Sequence, residues 1–139
     1  MTTERYLLDT CAIIYLAHDM PVSKGLLDVL DFMPSRVDTV LASPFSAWEL
    51  GMLVAKGRIV LERPPAEWFR IACVRFDIST VPLSAEVLVS ASFLPEPLHG
   101  DPADRILIAT ARSYDLTIVT RDRAILTYGA AGHVKVLAC

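Results

Sequence analysis

Short apolar runs alternate along the chain with longer stretches in which apolar residues recur at helical spacing. The run Tyr6-Leu7-Leu8 reads as a first strand, and residues 11–17 and 24–32 carry the helical period. TVLA at 39–42 reads as a second strand. It leads into a helix over SPFSAWELGMLVAKG, where Pro44 suits the first helical position and Gly57 the stop. Residues 67–75 are predicted helical, 76–81 a weak third strand and 85–93 a further helix, while 101–114 has the strongest helical pattern of all. LTIVT at 116–120 and VKVL at 134–137 complete the set as fourth and fifth strands. Strands this short, separated by helices, predict an α/β fold: a three-layer α/β/α sandwich with a central parallel sheet of about five strands. Such sheets take ligands outside the carboxyl ends of their strands, where the strand order reverses.

Composition changes this picture only at the edges. The 139 residues suit one domain over 1–139, with no repeat, linker or low-complexity segment. A hydrophobic share of 53% argues for a well-filled core and an apolar surface patch that a partner covers. Charges or prolines interrupt every apolar run before the ~18 residues that a membrane span needs. Glu4 and Asp9 fall where a signal peptide would need an unbroken apolar stretch, so a cytoplasmic protein without a membrane partner is expected. Cys11, Cys73 and Cys139 are odd in number and far apart in sequence, with no CxxC pattern, and read as small reduced hydrophobes. A net charge of −3 gives no overall nucleic-acid footprint. Bound cations and local basic residues would have to attract RNA or DNA; Lys56, Arg58, Arg105, Arg112, Arg121 and Arg123 are the candidates.

Four acids stand out by position. Asp9 follows the first strand directly, and Asp122 lies just beyond the fourth. Either could simply cap the following helix, as Asp often does. Glu49 is compatible with a capping box, Ser46-Ala-Trp-Glu49, or with a helix that starts at Ser43-Pro44 and leaves it among apolar neighbours in need of a partner. Asp104 belongs to HGDPADRILIATA, where Asp101 caps a helix, Pro102 starts it, and Asp104 enjoys the favourable end of the helix dipole. The Arg105 guanidinium is expected either to steady the carboxylates or to contact a phosphate. Apolar elements thus lead repeatedly to an acid at one sheet edge. Carboxylates gathered there repel one another unless cations neutralise them. Magnesium, which keeps several waters and prefers oxygen ligands, suits such a site and can activate water against a phosphodiester.

The segments LLDTCAIIYLA, SPFSAWELGMLVAKGRI, HGDPADRILIATA and LTIVTRDRAI closely resemble, in order, the signature blocks of PIN-domain proteins, and among them the VapC-type toxins of bacterial toxin–antitoxin modules. The resemblance runs from Tyr6 to the fifth strand. It implies a metal-dependent endoribonuclease with Asp9, Glu49, Asp104 and Asp122 around one or two Mg²⁺ or Mn²⁺ ions, inhibited by a cognate antitoxin. It also implies supporting roles for Thr10 and Thr120, with Asp9 and Asp122 flanking the switch point between neighbouring first and fourth strands. Asp122 is expected to act through a water beside Thr120 rather than as a direct ligand, and Asp101 at most as an outer acid. Cys11 departs from the His, Asn or Ser often found after the DT pair, at a position that is no essential ligand.

Rival readings are weaker. A receiver-like phosphorylation switch needs paired acids after the first strand and an Asp ending the third, whereas Asp9 stands alone and Asp77 starts the third. A haloacid-dehalogenase-like phosphatase needs an acid at position 11, where this chain has Cys11. A non-catalytic interaction or RNA-binding module on the same fold remains the serious alternative, and the presence of all four acids counts against it. Residues 14–33 and the SAWE helix are the candidate surface for a homodimer or an antitoxin.

Overall fold

The computed structural model describes residues 4–31 and 39–139. Its centre is a five-stranded sheet in the order β3-β2-β1-β4-β5. The strands are β1 (Tyr6–Leu8), β2 (Val40–Ala42), β3 (Ser79–Thr80), β4 (Thr117–Thr120) and β5 (Lys135–Ala138), and every neighbouring pair is parallel. The chain leaves β1 toward β2 and β3 on one side, then crosses back to place β4 and β5 on the other. The order therefore reverses between β1 and β4.

Side chains alternate along each strand, so consecutive residues serve opposite faces. Leu8, Val40, Ala42 and Val119 pack with helices α1 (Thr10–Ala17), α2 (Lys24–Asp31), α3 (Phe45–Ala55) and α4 (Pro65–Arg75). Leu7, Leu41 and Ile118 pack with α5 (Ala85–Ser90), α6 (Pro102–Tyr114) and α7 (Arg123–Ala130). Two separate cores on the two faces of one sheet give the three-layer α/β/α sandwich that the apolar pattern implied. Among the described residues, no helix is long and apolar enough to cross a membrane.

Two elements are corrected. The expected third strand at 76–81 shrinks to Ser79–Thr80. The cause is the way α4 ends: Asp77 adopts φ 52°, and Ile78 N–H reaches back to the Cys73 carbonyl at 2.8 Å. This left-handed closure, which Asp tolerates better than bulkier residues, uses up residues 76–78 before a strand can begin. The expected helix at 85–93 is α-helical only to Ser90, then tightens into a 3₁₀ turn over Ala91–Phe93. Helix α3 starts at Phe45 with Pro44 in the preceding capping position, one residue from the expected start. Phe32 and Met33, which closed the predicted second helix and the candidate partner surface, lie outside the described residues.

Candidate metal centre

The end of β1 fixes the first acid. Asp9 leaves the strand with its N–H bonded to the Val119 carbonyl at 3.0 Å, and caps α1 by accepting from the Thr10 N–H at 2.7 Å. Its second oxygen, Oδ2, accepts from the Thr120 hydroxyl at 2.6 Å. That hydroxyl in turn accepts from the Asp122 N–H at 3.0 Å. Asp122 caps α7 by accepting from the Ile125 N–H at 3.0 Å. Asp9 and Asp122 therefore both cap helices, and Thr120 links them at the ends of β1 and β4. Burial pushes the Asp9 carboxyl above the usual carboxylate range, against hydrogen bonds that pull it down.

Glu49 arrives from the neighbouring layer. The two helix starts open to it in sequence resolve in favour of Ser43-Pro44, since Ser43 Oγ accepts from the Phe45 N–H at 3.1 Å. Ser46 is buried and caps nothing; its hydroxyl lies 2.8 Å from that of Thr10. Thr10 donates to Glu49 Oε1 at 2.7 Å. Glu49 thus sits in the second turn of α3, tied to the residue after Asp9. Its carboxyl is also raised, first by burial and then by the nearby charge of Asp9 and Asp101.

Asp104 stands opposite, on the first turn of α6. Asp101 caps that helix by accepting from the N–H groups of Ala103 and Asp104 at 2.9 and 3.3 Å. Burial raises the Asp104 carboxyl to about 7, with further contributions from Asp122, Asp101, Asp9 and Glu49 in that order. Acids from three different helices and a strand end therefore feel one another at Asp104. The donor set of crowded carboxylate oxygens fits a hard divalent ion, which would relieve the repulsion.

His99 is the residue that sequence reasoning missed. Its Nε2 lies 3.2 Å from Asp104 Oδ2, and among the described residues His99, Asp104 and Asp122 offer ligand atoms within 4.8 Å of one another. Its Nδ1 accepts from the Asp101 N–H at 3.2 Å, which leaves the ring proton on Nε2, facing the carboxylate. In that tautomer the imidazole orients Asp104 and has no lone pair to give an ion. The only sequence signal was its place two residues before the capping Asp101.

Asp9, Thr10, Glu49, Asp101, Asp104 and Asp122 line a cleft of about 680 Å³ that also includes Tyr15, Trp48, Lys56, Arg58 and Arg121. Arg105 does not join it, which corrects the expectation that this guanidinium steadies the carboxylates. Adjacent residues on a helix point about 100° apart, and Arg105 turns to Glu96 at 3.1 Å and the Ala91 carbonyl at 3.3 Å. Arg121 lines the cleft, but its guanidinium bonds the Pro21 carbonyl and stacks over the Tyr15 ring at 4.1 Å. Cys11 and Cys139, distant in sequence, meet beside Asp9. The thiol of Cys139 is drawn down to about 7 by Cys11 and by Arg121.

The relay from Asp122 through Thr120 to Asp9 gives a direct expectation. Thr120→Val keeps the shape of a fully buried residue but removes the hydroxyl that serves both acids. A 10- to 100-fold loss of activity, roughly that of removing a group that orients a metal ligand, is expected. Thermal stability should fall too, since the buried Asp9 carboxylate and the half-buried Asp122 N–H lose their partner. Measured turnover within about 2-fold of the parent would show that Thr120 does not position the acids.

The family model for the PIN domain matches residues 6–130. Ribonuclease VapC22 of Mycobacterium tuberculosis is 32% identical over 93 residues, 67% of this chain and 70% of that protein. The VapBC2 structure from Rickettsia felis, bound to a DNA fragment from their promoter, superposes with a TM-score of 0.68 at 16% identity, covering 96% of this chain and 97% of that one. FitAcB from Neisseria gonorrhoeae gives a TM-score of 0.58 at 21% identity, covering 95% and 96%. The two structures establish a shared fold, and the family model and the VapC relative establish descent. The chain belongs to the PIN domain family, as a VapC-type member.

Proposed function

We propose that the chain is a metal-dependent endoribonuclease, the toxin of a toxin–antitoxin module, acting in the cytoplasm as one nuclease unit. The observation that carries this reading is the convergence of Asp9, Glu49, Asp104 and Asp122 on one cleft at the carboxyl ends of β1 and β4, with Asp104 raised to about 7 first by burial and then by its fellow acids. The ribonuclease name of the VapC22 relative and the block-by-block sequence resemblance support RNA as substrate. Asp9, Glu49 and Asp104 would hold Mg²⁺, or Mn²⁺ in its place, with Asp122 acting directly or through a water. A bound ion of this kind would lower the pKa of a water and offset charge on the phosphodiester. The chain's own contribution is to fix the acids: Thr120 holds Asp9, Thr10 holds Glu49, and His99 faces Asp104. Met20, Leu27, Ile71 and Val74 remain exposed outside the α1–α4 layer, which supports a cognate antitoxin or a second copy covering that side.

The test is cleavage of RNA by purified protein with Mg²⁺ or Mn²⁺, abolished by EDTA and suppressed by the cognate antitoxin. RNA left intact under both ions would reduce the chain to an interaction module. A stability measurement reads the same site without catalysis. Asp104 keeps its proton up to about 7 in the fold, against 3.8 ordinarily, and Asp9 and Glu49 move in the same direction. Between those values the folded chain binds more protons than the unfolded one, so metal-free stability should decline as pH rises through that window. Ions compete with those protons, so added Mg²⁺ should raise the melting temperature more at about pH 8 than at about pH 5. An equal gain at both would place the ion elsewhere.

A further inference from the structure

The cleft has a second end that the acids do not use. On α3, Glu49, Met52, Leu53 and Lys56 follow one another at spacings of three, four and seven residues from Glu49, so they form one stripe along the helix. The stripe carries the cleft about 10 Å from Glu49 to Lys56. The helix then closes on Gly57, at φ 70°, with the Gly57 N–H bonded to the Val54 carbonyl and the Arg58 N–H to that of Leu53, at 3.0 and 2.9 Å. This closure turns the chain so that Arg58 lines the same cleft as Lys56. Trp48, one residue before Glu49, is 57% exposed there, its indole set edge-on against Phe45 at 5.0 Å.

Among the described residues, no hydrogen bond or ion pair holds these two cations, which separates them from Arg105, Arg112 and Arg121, while Arg123, equally unheld, lies outside the cleft lining. Arg105, Arg112 and Arg121 are committed to Glu96, the His133 carbonyl and the Pro21 carbonyl respectively. Among the described residues Lys56 and Arg58 make no side-chain hydrogen bond and no ion pair, although five acids line the same cleft. The helix dipole favours a cation at the position of Lys56, but it explains neither Arg58 beyond the turn nor an exposed indole in the same cleft. An acid end fit for an ion, two unengaged cations and a flat aromatic face are the elements of a single-strand binding track.

Building on the proposed nuclease reading, we propose that Trp48, Lys56 and Arg58 form the subsite that holds single-stranded RNA beside the bond to be cut, a base against the indole and the backbone on the two cations.

The test uses a labelled single-stranded oligoribonucleotide, with Ca²⁺ replacing Mg²⁺ to keep it whole, and reads affinity against salt. Lys56→Ala/Arg58→Ala should bind about 10-fold more weakly, with a log–log salt slope shallower by about 1.4, the value for two phosphate contacts on a single strand. Arg123→Ala, which alters a residue outside the cleft lining, should leave the slope unchanged. RNA should quench Trp48 emission. Trp48→Phe should lose that signal and keep the affinity, whereas Trp48→Ala should lose about 10-fold. Hydrolysis of a small phosphodiester, bis-p-nitrophenyl phosphate with Mn²⁺, by the parent reads the acid end of the cleft separately.

An unchanged slope in a protein that cuts RNA overturns the subsite and leaves the nuclease standing. A parent that cuts neither RNA nor the small phosphodiester overturns the nuclease reading instead. Undetectable RNA binding by the parent overturns the subsite, and so does a double variant that keeps its RNA slope but releases a co-expressed antitoxin, which would assign the surface to a protein.

Discussion

Asp104→Asn is expected to lower RNA cleavage by more than ~100-fold while leaving the metal-free protein at least as stable as the parent. Groups that merely orient a metal ligand are worth 10- to 100-fold, so the ligand itself should exceed that range. Asn keeps the shape of the side chain and loses the charge that Asp122, Asp101, Asp9 and Glu49 all oppose. Relief of that repulsion acts on stability in the opposite direction to the loss of activity. Near neutral pH in EDTA, the melting temperature of the variant should equal or exceed that of the parent. Mg²⁺ should then add less to it. Retained cleavage would remove Asp104 from the centre, and a variant that melts well below the parent in EDTA would show that the carboxylate stabilises the fold rather than straining it.

Leu8→Ala should produce the largest loss of stability, about 2–5 kcal/mol. Leu8 is fully buried in the middle of the sheet, in register with Ala42 on one side and Val119 on the other. Its side chain fills the core between the sheet and α1–α4, where a rigid two-sided frame leaves little room to collapse into the cavity. Domains of this kind hold only about 5–15 kcal/mol in total, so the urea midpoint should drop by a large fraction with little change in slope. The next residue is Asp9, so activity should fall with it even where the variant stays folded. A midpoint shift worth less than about 1 kcal/mol would mean that this core relaxes far more than its packing implies.

The sequence was most readable where one period dominates. Four strands follow from their apolar runs, and three of the acids were visible because each sits one or two residues beyond a strand or in the first turn of a helix. The third strand was misjudged because hydrophobicity continues through Phe76 and Ile78, while the backbone there is closing a helix through Asp77. Glu49 stayed ambiguous because its partner, Thr10, lies 39 residues away and no local pattern announces it. The same limit hid His99, whose role depends on a loop folding back onto α6, and misplaced Arg105, whose neighbour in sequence is not its neighbour in space. Local spacing shows which face of an element a residue occupies. It does not show which other element that face meets.

The division of the interior into two cores carries one more consequence. Asp9 and Glu49 are borne by α1 and α3 on one face of the sheet, Asp104 and Asp122 by α6 and α7 on the other. The acids therefore sit on a seam, where layers that share no apolar packing approach each other past the edge of the sheet. An ion drawn into that seam would work as a rivet between layers. Without it, like charges press the two sides apart at the mouth of the cleft, so the seam should breathe most when the protein is idle and tighten as it becomes competent to cut.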